Sequence, residues 1–256
     1  ALDQFSSSMD MSNLRWLDKL PKIVGEVSSA LHIHAGEDVA TVTSQLKGAL
    51  TQLARMAMDL VWEQTGKNPD GGGQHGTLRF AHGVLPEELT EPVSQIHAQA
   101  LGLSKALEAL GLEVKAVAKE DPSQATQCAQ LYAKMGALAP RLNGVVSTAS
   151  LLLEHGAQPL AKWLQAESEH GYLTMTAHAC PIVPGDLLRQ FLWSQVRGAV
   201  LTSASLTSCG SFDYFLHEAG LINNPNVQAL EVASPFDYNR QGTLTVVHTT
   251  ADPKQA

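Results

Sequence analysis

The sequence specifies an α+β protein, mainly α, in which an antiparallel helical bundle is followed by a small partial α/β sheet. Apolar residues recur at helical intervals through most of the first 165 residues. Composition and periodicity then shift, and Gly171 to Ala179 (GYLTMTAHA) alternates in the manner of a strand. Beyond it, short apolar runs bounded by glycine and proline alternate with short amphipathic stretches, the rhythm of an α/β sheet with few strands.

Residues 12 to about 64 read as two helices. Ser12 or Asn13 can cap the first, with Leu14, Leu17, Leu20, Ile23 and Val24 on one face. The segment HIHAGED interrupts, and Val39, Val42, Leu46, Leu50, Leu53, Met56, Met58 and Leu60 carry a longer helix to Gly66. His32 and His34 are two apart, a spacing that suits one face of a strand, but no third ligand lies near to make a metal site. Residues 66–76, GKNPDGGGQHG, are too rich in glycine to order within an element and are expected to form a hairpin tip between helices. A phosphate-cradling loop is excluded there, because GxxxxGK[ST] is absent and no strand feeds the segment.

From Pro86 the pattern is helical again. Glu87, Glu88 and Glu91 favour the amino-terminal dipole, and Leu101, Leu103, Leu107, Leu110, Leu112, Val114 and Val117 carry the apolar content to Asp121 and Pro122. A further helix spans Ser123 to His155, with a break or kink expected at Pro140. Lys162, Trp163 and Leu164 are expected to end a short helix. Asp186 to Trp193 and Ser211 to Gly220 read as helices, and Ala199 to Leu201, Val227 to Val232 and Gly242 to His248 as strands. His178 and Cys180, on the GYLTMTAHA strand, are expected in the core. The Ala199 strand leads into Thr202, Ser203, Ala204, Ser205 and Leu206, a cluster of small hydroxyls where an α/β sheet presents its strand ends.

Composition narrows the functional classes. The chain of 256 residues is 44% hydrophobic and 16% charged, with a net charge of -8, the wrong sign for a self-sufficient nucleic-acid-binding module. No run approaches the roughly 18 apolar residues of a membrane span, so no membrane partner is expected. Cys128, Cys180 and Cys209 form no CxxC pair, which argues against a disulfide framework and against a metal or iron–sulfur site built within these residues alone. A cytoplasmic home is expected. The opening ALDQFSSSMDMSN, without an initiator Met, is what a fragment would show.

Several stretches, in order, carry a resemblance. They are Arg79-Phe80-Ala81 and Gly83 to Glu88, then Lys162-Trp163 with the Tyr172 strand, and LLRQFLW from Leu187 to Trp193. TSASL from Thr202 to Leu206 follows, and last Ser234-Pro235-Phe236-Asp237-Tyr238 with Gln241-Gly242. Together they resemble the DinG-like branch of superfamily 2 DNA helicases, relatives of XPD. TSASL is similar to the family's TSATL motif, with Ser205 in place of Thr.

The resemblance implies a parent that couples ATP and Mg²⁺ to 5′-to-3′ movement on single-stranded DNA, often with an iron–sulfur cluster. It implies a helical arch at residues 1–165, the end of motor domain 1 at 166–234, and a linker with the first strand toward motor domain 2 at 235–256. Thr202, Ser203, Ala204, Ser205 and Leu206 would couple the nucleotide site to the DNA-bound motor interface, and Ser234, Pro235 and Phe236 would form a hinge near DNA. Walker A and Walker B motifs are absent from the sequence, so no catalytic residue, cofactor or metal is assigned within this chain, and it is expected to be inactive in ATP hydrolysis by itself. Two other readings are a helical interaction module that forms a homodimer, and a hydrolase using Ser203 with His178. The second lacks the GxSxG elbow that would strain the serine into reach.

Overall fold

A computed structural model describes residues 7–33, 38–66, 75–155, 159–169, 172–233, 235 and 237–246. Within them the protein is mainly helical, with one antiparallel sheet, as the sequence predicts.

The sequence-predicted helices form where a cap and an apolar stripe coincide. Helix α1 (Leu20–Leu31) carries Pro21 in its first turn and stops at His32, which takes the left-handed conformation (φ 57°) and donates its N–H to Ser28 O. Helix α2 (Val39–Thr65) is capped by Asp38, whose carboxylate accepts from Thr41 N–H at 3.1 Å and from the Thr41 hydroxyl at 2.6 Å. Val39, Thr43, Leu46, Leu50, Leu53, Ala57 and Val61 form its buried stripe, until Gly66 (φ 65°) ends it. Helix α3 (Glu87–Glu120) begins with Glu87 and Glu88 against its positive end. Helices α4 (Ala125–Gly136) and α5 (Ala139–Leu153) divide just before Pro140, which occupies the first turn of α5, where its missing N–H breaks no bond. Helix α3 packs against α2, α4 and α5.

The sheet has the order β1 (Ser7–Asp10), β4 (Tyr172–Pro181), β3 (Leu160–Glu169), β2 (His75–Arg79), all antiparallel. One face carries Met9, Leu78, Leu164, Ala166, Met175, Ala177 and Ala179 into the core shared with the helices. Strand β2 reaches α2 because Gly76 has no side chain: a Cβ there would meet Val61 and Trp62.

The sheet revises several sequence expectations. Lys162, Trp163 and Leu164 lie in β3 and do not end a helix. The alternation of buried Leu160, Lys162, Leu164 and Ala166 has a period of two, and the single lysine conceals it. Ser12 caps no helix. Its hydroxyl accepts the Met175 N–H at 2.6 Å, while a 3-10 turn at Leu17–Lys19 leads into α1. The glycine-rich segment leads into a strand, with residues 67–74 outside the described residues. His32 is a helix cap, not part of a strand, and His34 lies outside the described residues. His178 and Cys180 are half-buried on the outward face of β4, one position out of phase with its core residues. Gln165 sits inside β3, and the sheet draws strands from both sides of it.

After β4 the chain is sparsely packed. Helix α6 (Gly185–Leu188) continues into a π-helical turn at Arg189–Trp193, matching the predicted 186–193 helix, and α7 (Asp213–Glu218) matches the other. The three predicted strands are not strands. Ala199 to Leu201 is unpaired, with Val200 92% exposed, and Leu230, Val232, Leu244 and Val246 are exposed likewise, with Val247 and His248 outside the described residues. A strand forms only against neighbours, and the four-stranded sheet engages none of these segments. Helix α8 (Tyr238–Gln241) is a single turn.

Candidate functional site

The hydroxyl cluster lies in a surface turn. Thr202, Ser203, Ala204 and Ser205 are exposed and Leu206 is half-buried. Ser203 Oγ accepts the Ser205 N–H at 3.2 Å and lies 3.1 Å from Ser205 Oγ, so the two hydroxyls close a local serine turn. Serine at position 205 retains the hydroxyl that threonine would offer there. The outward hydrogen-bonding capacity of this turn is available to a partner surface.

Both flanks of the turn are anchored. Downstream, Cys209 (φ 51°) and Gly210 (φ 77°) make a tight reversal in which Ser208 and Ser211 exchange backbone hydrogen bonds of 2.9 and 3.0 Å. Trp193 Nε1 donates to Ala219 O at 2.6 Å, and Arg189 Nε donates to Gly220 O at 3.2 Å. These bonds tie the segment before the hydroxyl turn to the helix after it. In the other predicted element, Pro235 and Asp237 are exposed, while Ser234 and Phe236 lie outside the described residues. The cysteines are separate and free: Cys128 buried in α4, Cys180 half-buried in β4 and Cys209 exposed. Among the described residues no three His, Cys, Asp or Glu side chains converge as a metal site.

The outward face of the sheet holds groups that helix and strand periodicity missed. Trp163 of β3 stacks on His178 of β4, with ring centroids 4.7 Å apart and planes inclined by 6°. Cross-strand register was the signal, and it requires knowing that β3 and β4 pair. Burial pushes the His178 imidazole below its ordinary range, with Glu167 opposing. The unfolded chain therefore binds the proton more readily. Full stability holds above the usual histidine value, and is lost as the pH falls from there toward the folded value. Urea midpoints measured between about pH 7.5 and about pH 5 are expected to fall, and less steeply in His178→Phe. An unchanged slope in that variant would contradict the assignment.

No protein-family model matches the chain. Among curated proteins, it is 28% identical over 264 residues to the ATP-dependent DNA helicase DinG of Photobacterium profundum, covering 92% of this chain and 37% of that protein. The chain is thus similar to a DinG helicase along most of its length. Its similarity extends to the DinG helicases of Shigella flexneri, at 28% identity, and Escherichia coli, at 27%, each over 191 residues covering 71% of this chain and 25% of the relative. The chain spans about a quarter to somewhat over a third of the length of these relatives. Among its described residues, no helix is long and apolar enough to cross a membrane.

Proposed function

We propose that this chain is part of an ATP-dependent DNA helicase acting 5′-to-3′ on single-stranded DNA in DNA repair or replication, in the cytoplasm. The observation that carries this reading is similarity to DinG helicases along 92% of the chain. The bundle of α1 to α5 would be the arch inserted in the first motor domain. Thr202, Ser203, Ala204, Ser205 and Leu206 would couple nucleotide state to the DNA-bound interface, and Ser234, Pro235 and Phe236 would act as a hinge. Phosphate and Mg²⁺ binding would come from elsewhere in the whole enzyme, which supplies the hydrolysis that drives movement.

The exposed hydroxyls suit the coupling role. A turn that hydrogen-bonds locally can exchange those bonds for bonds across a moving interface at little net cost. In the whole helicase, Ser203→Ala with Ser205→Ala is expected to lower duplex unwinding per ATP hydrolysed by on the order of tenfold, while single-strand affinity holds. Unwinding assayed beside ATP turnover and oligonucleotide binding checks this. Unwinding efficiency equal to wild type would remove the coupling role.

A further inference from the structure

We propose that the outward face of the four-stranded sheet stacks an unpaired base of single-stranded DNA on Trp163, with Arg79 on the neighbouring phosphate. The inference rests on the reading that the parent enzyme works on DNA, and it adds a location distinct from the hydroxyl turn.

Register assembles the surface. Arg79 pairs with Trp163, Trp163 with His178, and His178 with Ser8, so one row crosses all four strands on the face opposite the core. Phe80 N–H donates to Lys162 O and Met11 N–H to Met175 O, which fixes this phase at both edges of the sheet. The row combines a cation, an indole, an imidazole and a hydroxyl. The stack with His178 holds the indole in one orientation, so little further ordering is needed when a base arrives. A large aromatic on the solvent side of a sheet contributes little to the core, which Leu164 and Ala166 of the same strand already fill.

A cation beside an indole in one row suits a nucleic acid strand, which offers a phosphate beside each base. Arg79 is exposed and has no acidic partner among the described residues. The adjoining row is Thr77, Gln165, Thr176 and Asp10, and the first three can hydrogen-bond to base edges. Glu167 lies one row further, 3.5 Å from His75, and the Asp10 carboxylate accepts the N–H groups of Ser12 and Asn13. Arg79 is therefore the charged group that shares a row with Trp163, while the carboxylates of this face are engaged by backbone N–H groups at Asp10 and by His75 at Glu167. Stacking, which every base supports, would dominate over salt-driven attraction there. Four-stranded antiparallel sheets with aromatic side chains on an open face bind unpaired bases in this way.

Fluorescence anisotropy of labelled oligo-dT with the 256-residue chain at low salt tests the proposal. Trp163→Ala is expected to weaken binding roughly five- to a hundredfold, and Trp163→Phe to retain most of it. Arg79→Ala, an exposed site that leaves packing untouched, is expected to flatten the log–log salt slope by about 0.7. An oligonucleotide carrying 5-iodouracil should cross-link to the β3 or β4 peptide, and this decides the matter if Trp163→Ala does not fold. Binding by wild type that is unaffected by all three variants, with cross-links elsewhere, overturns the sheet-face site and leaves the DNA reading standing. No binding by wild type at high protein concentration overturns both for this chain.

Discussion

Lys162→Met is expected to lower the unfolding free energy by about 2–3 kcal/mol. Lys162 is almost fully buried within β3, yet it points among the core residues of a sheet. Its ammonium donates to Leu152 O at 2.8 Å and Glu154 O at 2.6 Å, carbonyls at the carboxyl end of α5 that lack a helical partner. His155 Nδ1 meets Leu153 O at 2.6 Å, and Glu154 N–H donates to Ser150 O, so Ser150, Leu152 and Leu153 at the end of α5 all have partners. The cation also complements the negative end of the helix. Burial pushes the ammonium below its ordinary range, with Glu154 opposing.

Methionine keeps the apolar stem and removes the donors, which strands the buried Leu152 carbonyl at about 1–3 kcal/mol and leaves the part-buried Glu154 carbonyl to the solvent edge. Relief of the buried charge offsets part of this. Chemical denaturation of the variant beside wild type reads the difference directly. A loss below about 0.5 kcal/mol would mean that water, rather than Lys162, satisfies the helix end. Lys162→Ala should be worse still, because it also leaves a cavity between β3 and α5.

The same residue explains why the fold was only partly legible in sequence. Helix α3 announces itself through Pro86, the division between α4 and α5 through Pro140, and α2 through its stripe of leucine and valine. Strand β4 shows its alternation. Strand β3 hides, because a lysine takes a core position and tryptophan takes the outward one. Strands β1 and β2 are four and five residues long, with Ser7 and Gly76 turned inward, too short and too polar to stand out. The opposite error arises at Ala199 to Leu201, Val227 to Val232 and Gly242 to Val246. Their apolar content reads as buried strand, but hydrophobicity reports a preference for burial, not the presence of a neighbour that provides it. The hydroxyl cluster at Thr202 to Ser205 was readable from composition, but not that it turns on the surface without a strand before it. The Trp163 and His178 stack was not, since it depends on pairing residues fifteen apart in the chain.

Gly220→Ala is expected to detach α7 from the α6 segment while leaving the core of α1 to α5 and the sheet folded. Gly220 holds φ 68°, which costs a side-chain-bearing residue about 1–2 kcal/mol by itself. Its missing Cβ also faces the backbone oxygen of Gly185, at a separation no carbon atom can occupy. Across the same contact, a Cβ on Gly185 would approach His217 O at 2.6 Å. Both clashes are with backbone, so no rotamer change relieves them. The bonds from Trp193 to Ala219 and from Arg189 to Gly220 depend on this close approach and should be lost with it. Limited proteolysis is expected to open the 185–221 segment in the variant, with a change in indole fluorescence as Trp193 becomes exposed. Gly198 has open space around it, so Gly198→Ala, within the same segment, should behave as wild type. Equal protease resistance of Gly220→Ala and wild type would refute the contact. The consequence reaches the hydroxyl turn, because residues 202–206 are suspended between Trp193 and α7. Their position is set by two glycine backbones and two side-chain bonds rather than by a strand of their own.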